Sequence, residues 1–178
     1  MAVVIGLTGG IGSGKTYRAR RLEAMGAPVY YSDAAAKRLI NEDAQLQQQI
    51  SALLGTDVFK DGIYQTQLVA SRVFADQSLL QQLNQIVHPA VIEDAMRWIE
   101  NHQHEKLLVI ESALLFESGL DSLCDQVVCI TAPEDLCIER VMARDGVSKA
   151  QVRERMSKQM PDEERQQRSD LIFSSKET

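Results

Sequence analysis

Gly9-Gly10-Ile11-Gly12-Ser13-Gly14-Lys15-Thr16 satisfies the spacing Gly-x-x-x-x-Gly-Lys-[Ser/Thr] at every position. Each residue type in it serves one chemistry. Glycines let the backbone curl until successive N–H groups point inward at phosphate oxygens. A helix that follows directly adds the partial positive charge of its N-terminus. The Lys15 ammonium can reach the β- and γ-phosphates of a nucleoside triphosphate, and the Thr16 hydroxyl can ligate Mg2+. Gly10, Ile11, Gly12, Ser13, Gly14, Lys15, Thr16 and Tyr17 are therefore the candidate nucleotide contacts. The bland alternative is a glycine-rich turn with no ligand, and the Lys-Thr pair speaks against it. The loop does not name an acceptor.

Other candidates are weaker one by one. Asp33 follows a short apolar run, and a carboxylate there can orient an acceptor hydroxyl and take its proton; it can equally cap a helix. Arg140 and Arg144 stand four apart on one helical face, and Arg155 and Gln159 repeat that spacing, with Arg153 and Lys158 nearby. Guanidinium groups so placed can clamp a transferring phosphoryl group, although single surface arginines are usually just solvated. Glu111 ends an apolar run, where a carboxylate can serve Mg2+ through water. Glu117 and His88 read as structural as readily as functional.

The pattern around these residues supplies the elements that hold them. Val3 to Leu7 reads as a buried strand before the glycine loop, and a helix runs from about Lys15 to Met25 with Gly26 as its stop. Ala27 to Tyr31, Lys106 to Ile110, Gln126 to Thr131 and Leu171 to Phe173 read as further strands. Ser32 or Asp33 can cap the next helix. Thr131-Ala-Pro133-Glu134 and Ser148-Lys-Ala-Gln151 read as helix starts of the capping-box kind. From 32 to about 103 the chain reads as helical, with breaks at Gly55-Thr56-Asp57 and Lys60-Asp61-Gly62. Pro89 separates the face of Leu79, Leu83 and Ile86 from that of Val91, Ala95 and Trp98. Strands alternating with helices predict an α/β fold on a parallel sheet covered on both faces. The stretch 32–105 is too long for a crossover and reads as a helical insertion.

Composition limits what such a site could serve. The 178 residues carry a net charge of −6 and only nine aromatics, which disfavours nucleic acid and anionic membrane as partners. Charge is uneven, however: residues 140–168 hold eight Lys/Arg against five Asp/Glu. One basic stretch in an acidic chain suits a small anionic ligand. No run approaches the roughly 20 apolar residues of a membrane span, and no basic segment opens a signal peptide, so a cytoplasmic protein is expected. Cys124, Cys129 and Cys137 form no Cys-x-x-Cys pair and read as small core hydrophobes in a reducing compartment.

In order, Thr8 through Thr16, Tyr31-Ser32-Asp33, His88-Pro89, Leu114-Leu115-Phe116-Glu117, Arg140-x-x-x-Arg144-Asp145-Gly146 and Arg155-x-x-x-Gln159 resemble the dephospho-coenzyme A kinases over nearly the whole chain. The resemblance implies a five-stranded parallel P-loop kinase core with a helical acceptor domain and a helical lid. It implies transfer of the γ-phosphoryl of ATP to the ribose 3′-hydroxyl of dephospho-coenzyme A, with Mg2+ as cofactor. Residues 1–31, 106–139 and 161–178 would form the nucleotide core, 32–105 the acceptor domain and 140–160 the lid. Asp33 matches the acceptor-activating aspartate, while Lys15, Arg140 and Arg144 would attend the phosphates. Asp33, His88, Leu114, Glu117 and Arg155 would line the acceptor side.

Some positions depart from the family pattern. Tyr31 stands where many members carry the first aspartate of an Asp-x-Asp pair. Tyr17 replaces a common hydroxyl residue, Glu111 a common aspartate and Ala113 a common proline. After Ser169-Asp170-Leu171-Ile172-Phe173 members usually continue through another helix, and this tail stops early. Two rival readings stay in view. One is a P-loop kinase for a smaller acceptor such as a sugar acid or nucleoside monophosphate. The other is a nucleotide switch acting on a partner, which the missing Asn-Lys-x-Asp motif and the arginine-rich stretch disfavour.

Overall fold

Val3–Thr8 offers water no continuous polar face, and a strand of that kind is stable only between two others. In the computed structural model, which describes residues 1–175, it is β1, the middle of a five-stranded parallel sheet. β1 leads through the glycine loop into α1 (Lys15–Ala24) and then β2 (Val29–Tyr31). Next come α2 (Ser32–Glu42), α3 (Ala44–Leu54), a hairpin of β3 (Phe59–Lys60) and β4 (Ile63–Tyr64), α4 (Thr66–Ala75) and α5 (Gln77–Asn101). The chain returns through β5 (Leu107–Glu111), α6 (Leu115–Ser118), β6 (Gln126–Thr131), α7 (Glu134–Asp145), α8 (Lys149–Ser157), α9 (Asp162–Arg168) and β7 (Leu171–Ser174).

The sheet order is β2-β5-β1-β6-β7. Because every pair is parallel, all five carboxyl ends fall on one edge, where open α/β sheets bind ligands. Register puts Glu111 beside both Leu7 and Tyr31, and Thr8 beside Cys129. Leu108, Val109 and Ile110 are fully buried. A second cluster packs Leu7 and Val109 with Ala19 and Ile130, so α1 is seated on the sheet directly behind the loop. Two aspartates pin the strands from their entries: Asp125 accepts from the Val4 N–H at 2.8 Å, and Asp170 from the Val127 N–H at 2.7 Å.

Two compact units result, Met1–Tyr31 with the chain from Ile99 onward, and Ser32–Trp98. Within the second, Leu46, Ile50 and Leu54 bury one stripe of α3, while Asp43 caps that helix by accepting from Gln45 and Leu46 N–H groups. Arg38 and Asp94 pair at 2.6 Å across it.

The strands lie where the sequence puts them, and the Ser148–Gln151 capping box forms in full. Local detail differs from the sequence pattern at four points. α2 starts at Ser32 itself, so Asp33 sits inside its first turn rather than at a cap. The break at 60–62 is the turn of a hairpin, with Asp61 and Gly62 both at positive φ. Thr131 does not cap α7, whose cap residue is Pro133; its hydroxyl donates to the Phe173 carbonyl at 3.4 Å instead. Pro89 does not end a helix, since α5 runs through it. The helix survives because burial of Leu83 and Val91 on either side is worth about 1.5–3 kcal/mol each, against about 3 kcal/mol for an interior proline.

Alanine at position 89 would return an N–H to α5. The Pro89→Ala variant should unfold at higher temperature, gaining about 1–2 kcal/mol. An unchanged or lower midpoint would mean the helix has already relaxed around the proline.

Candidate active site

The glycine loop is shaped by lack of room. A Cβ on Gly9 would lie 2.5 Å from the Ile130 carbonyl oxygen, and one on Gly12 would lie 2.4 Å from that of Cys137. β6 and α7 therefore press directly on loop backbone. Gly14, in the left-handed region at φ 93°, is the cap residue of α1 and adds no side chain over its first turn. That first turn borders a cavity of about 180 Å³ lined by Gly12, Gly14, Lys15, Thr16, Tyr17, Arg140 and Arg144. Ser13 is buried with its hydroxyl unpartnered, and the Thr8 hydroxyl just before the loop is likewise buried and unpartnered.

Cations surround this space, each held by an oxygen. The Lys15 ammonium lies 3.8 Å from the Glu111 carboxylate, and both are largely buried. Arg140 turns its guanidinium to the loop's outer side: Nη1 donates to the Gly12 and Ser13 carbonyls at 3.2 and 3.3 Å, and Nη2 to that of Ser175 at 3.4 Å. Arg144 grips Asp145 with two hydrogen bonds of 2.7 and 3.0 Å, and Arg155 joins the same carboxylate at 2.8 Å. Those bonds, Arg144's first, hold the Asp145 carboxyl down at about 2.

Other predicted residues have humbler neighbours. Ile11 gives its N–H to the Gln159 side chain at 3.0 Å. Tyr17 is exposed, with the Arg21 guanidinium 5.9 Å from its ring centroid. Leu114 caps α6 and gives its N–H to the Ser112 hydroxyl. Glu117 is exposed and accepts from the Met160 N–H at 3.3 Å. Tyr31 donates to Glu23 at 3.0 Å; burial first, then that bond, push its phenol up to about 12. Burial pushes the Cys124 thiol up to about 12 as well, which leaves no thiolate there for nucleophilic work. Asp33, exposed, and His88, half-buried in α5, belong to the other unit. Two further residues stand beside these groups without a clear mark in the sequence: Asp145, signalled only by its place after Arg144, and Arg165, which nothing local marks.

A glycine loop thus leaves β1 at the carboxyl edge of a parallel sheet, and comparison with known proteins adds a family. A dephospho-CoA kinase family model matches residues 3–178. The chain belongs to the dephospho-CoA kinase family. The dephospho-CoA kinase of Porphyromonas gingivalis is 43% identical over 157 residues, 88% of this chain and 77% of that one. The crystal structure of TT1252 from Thermus thermophilus superposes with a TM-score of 0.86 at 31% identity, covering 99% of this chain and 90% of that one. Dephospho-CoA kinase from Campylobacter jejuni shares the fold, with a TM-score of 0.72 at 22% identity over 100% of this chain and 90% of that one. Members of the family are ATP-dependent kinases.

The Asp145 cluster should announce itself in acid. A carboxyl held lower in the folded chain than its ordinary 3.8 adds stability that is complete above that value and lost as pH falls through about 2. Denaturation midpoints of the wild type and Asp145→Asn should therefore differ near neutral pH and converge in acid. A gap that stays constant across pH would remove the ion pairs as its source.

Proposed function

We propose that this chain transfers the γ-phosphoryl group of ATP to the ribose 3′-hydroxyl of dephospho-coenzyme A, giving coenzyme A and ADP in the cytoplasm. The observation that carries the reading is the glycine loop, which with Lys15 and Thr16 lines one small cavity at a helix start without a side-chain cap, in a chain matched by the family from residue 3 onward. Phosphoryl transfer asks the protein mainly to position and to stabilise charge. Lys15 would leave Glu111 for the β- and γ-phosphates, which offer several negative charges in place of one. Arg144 and Arg155 would exchange Asp145 for phosphate oxygens in the same way. Arg140 would hold the loop while its guanidinium borders the cavity.

The proposed nucleotide core is 1–31, 106–139 and 161–178, with 140–160 as a lid and 32–105 as the acceptor domain. Asp33 would orient the 3′-hydroxyl and accept its proton. His88, Leu114, Glu117 and Arg155 would serve the acceptor side. Some seventy residues of insertion suit a long pantetheine-bearing nucleotide better than a small sugar acid, which needs only a compact pocket.

The side chains at the loop also fit Mg2+. They offer hard oxygen donors, the Thr16 hydroxyl and the Glu111 carboxylate, of the kind this ion prefers. Among the described residues no cluster of three or more His, Cys, Asp or Glu side chains can hold a metal, so the remaining ligands must be the triphosphate and water. Held there, Mg2+ would supply neutralisation of the charge that develops on the phosphates.

Two measurements test the reading. Purified protein with ATP should phosphorylate dephospho-coenzyme A and leave shikimate, gluconate, AMP and CMP nearly untouched; equal turnover of a smaller acceptor would overturn it. Asp33→Asn should lower kcat by about 10²–10⁴-fold with little change in ATP affinity. Because the structure puts Asp33 inside the first turn of α2, loss of a cap cannot mimic that result.

A further inference from the structure

Arg165 in α9 is the largest fully buried side chain among the described residues, only 1% exposed. Burying a guanidinium carries a desolvation cost that a single pairing rarely offsets. Here the compensation is thin. Nη1 pairs with Asp162, whose side chain is itself 58% exposed. Nη2 donates to the Met160 carbonyl at 2.8 Å, and Nε has no hydrogen-bond partner. Stability alone is a poor account of such a residue, and its neighbours supply a better one.

Directly against the pair lies the first limb of the phosphate loop. A Cβ on Gly10 would come within 3.0 Å of Asp162 Oδ1 and 3.3 Å of Arg165 Nη1. The next loop residue, Ile11, donates its N–H to Gln159 Oε1 at 3.0 Å. Gln159 adjoins Met160, whose carbonyl is held by Arg165 and whose N–H is held by Glu117. Residues 159–165 thus form a bracket with two points on the loop, Gly10 and Ile11, and Arg165 is the side chain that ties the bracket's two ends together. The bracket also walls a cavity of about 190 Å³ that Gly10, Ile11 and Met156 share. Arg140 does the complementary job on the second limb, at the carbonyls of Gly12 and Ser13.

We infer that Arg165 is a positioning residue for the kinase reaction: through Asp162, Met160 and Gln159 it fixes the Gly10–Ile11 limb of the loop in the shape that receives the triphosphate. It touches no substrate. This rests on the loop being the ATP cradle, and not on which acceptor is used. Loop amides misplaced by a fraction of an ångström lose aim at phosphate oxygens, so the loss should fall on the nucleotide and spare the acceptor.

The test uses the full chain and three variants: Arg165→Met, which keeps length and removes the charge, Arg165→Lys and Asp162→Asn. Calorimetry measures Kd for the non-hydrolysable adenosine 5′-(β,γ-imido)triphosphate, steady-state assays give KM for ATP and for dephospho-coenzyme A, and thermal melts report folding. Expected for Arg165→Met is a nucleotide Kd and a KM for ATP raised about tenfold or more, with the KM for dephospho-coenzyme A unchanged and the melt still cooperative. Arg165→Lys should recover part of the affinity, and Asp162→Asn should fall between it and wild type. A lower melting temperature with unaltered nucleotide Kd would overturn the inference, as would equal weakening toward both substrates. Should Arg165→Met fail to fold, Asp162→Asn decides, because it leaves the buried cation with Met160: raised nucleotide Kd supports the inference and an unaltered Kd overturns it. If the wild type binds the nucleotide analogue but does not phosphorylate dephospho-coenzyme A, the acceptor reading fails while the affinity comparison still judges Arg165.

Discussion

A loop that turns its N–H groups inward must turn carbonyls outward, and those carbonyls need partners if the loop is to hold its shape. Around residues 9–14 that requirement organises much of the first unit. β6 and α7 approach so closely that Gly9 and Gly12 have no space for a side chain, and the outward oxygens of Gly12 and Ser13 are met by Arg140 from α7. Arg140 is suited to this by its planar fork, which spans two adjacent carbonyls with one nitrogen and reaches Ser175 with another. A lysine ammonium has donors but not that fixed geometry. The sheet order follows the same logic. With β1 between β5 and β6, the loop that leaves β1 has Glu111 on one flank and the start of α7 on the other.

Charge is the second requirement. An anion site must gather cations, and gathered cations repel one another when no anion is bound. The first unit answers with local carboxylates. Glu111 sits against Lys15, Asp145 against Arg144 and Arg155, Asp162 against Arg165. These pairs differ in what they can release. Arg144 and Arg155 are about half exposed, and pairs of that kind are worth only about 0–1 kcal/mol, so their exchange for a polyanion is easy. Arg165 is sealed, and separating it from Asp162 would strand a buried charge. Burial alone thus separates the weakly held cations, Arg144 and Arg155, from the fixed one, Arg165.

Much of this was readable in the residues, for physical reasons. The strands show because β1, β5 and β6 are apolar runs that a covered parallel sheet demands, and the loop shows because its glycines are forced by contact. Local signals failed where tertiary packing competed with them. Pro89 reads as a break, yet the buried stripe around it carries α5 through. Lys60-Asp61-Gly62 reads as a helix interruption, yet Phe59 and Tyr64 pair across it, with ring centroids 5.4 Å apart. Thr131 has the pattern of a cap, yet the neighbouring strand takes its hydroxyl. The bracket on the loop was invisible for a different reason. Gln159 and Ile11 lie 148 positions apart, and no spacing rule spans that distance.

The two arginines on the loop also explain why its two limbs need different guards. The second limb enters α1, whose first turn fixes Gly14 and Lys15, so a few hydrogen bonds from Arg140 suffice there. The first limb has no helix to lean on. Gly10 carries no side chain, Ile11 packs against the cluster of Ile138, Val141 and Val152, and the Gly10 carbonyl of their shared peptide accepts from the Ser13 N–H at 3.1 Å, which leaves that peptide's N–H edge to be held from outside the loop. The Gln159 acceptor holds that edge by taking the N–H, and Gln159 can do so only if the segment after α8 is itself immobile. Ser157 and Lys158 end α8 without packing into the sheet. What holds the segment is Met160, gripped at its N–H by Glu117 and at its carbonyl by Arg165. The buried arginine is therefore the point at which the geometry of α9, itself seated beside β6, is passed to the first limb of the loop.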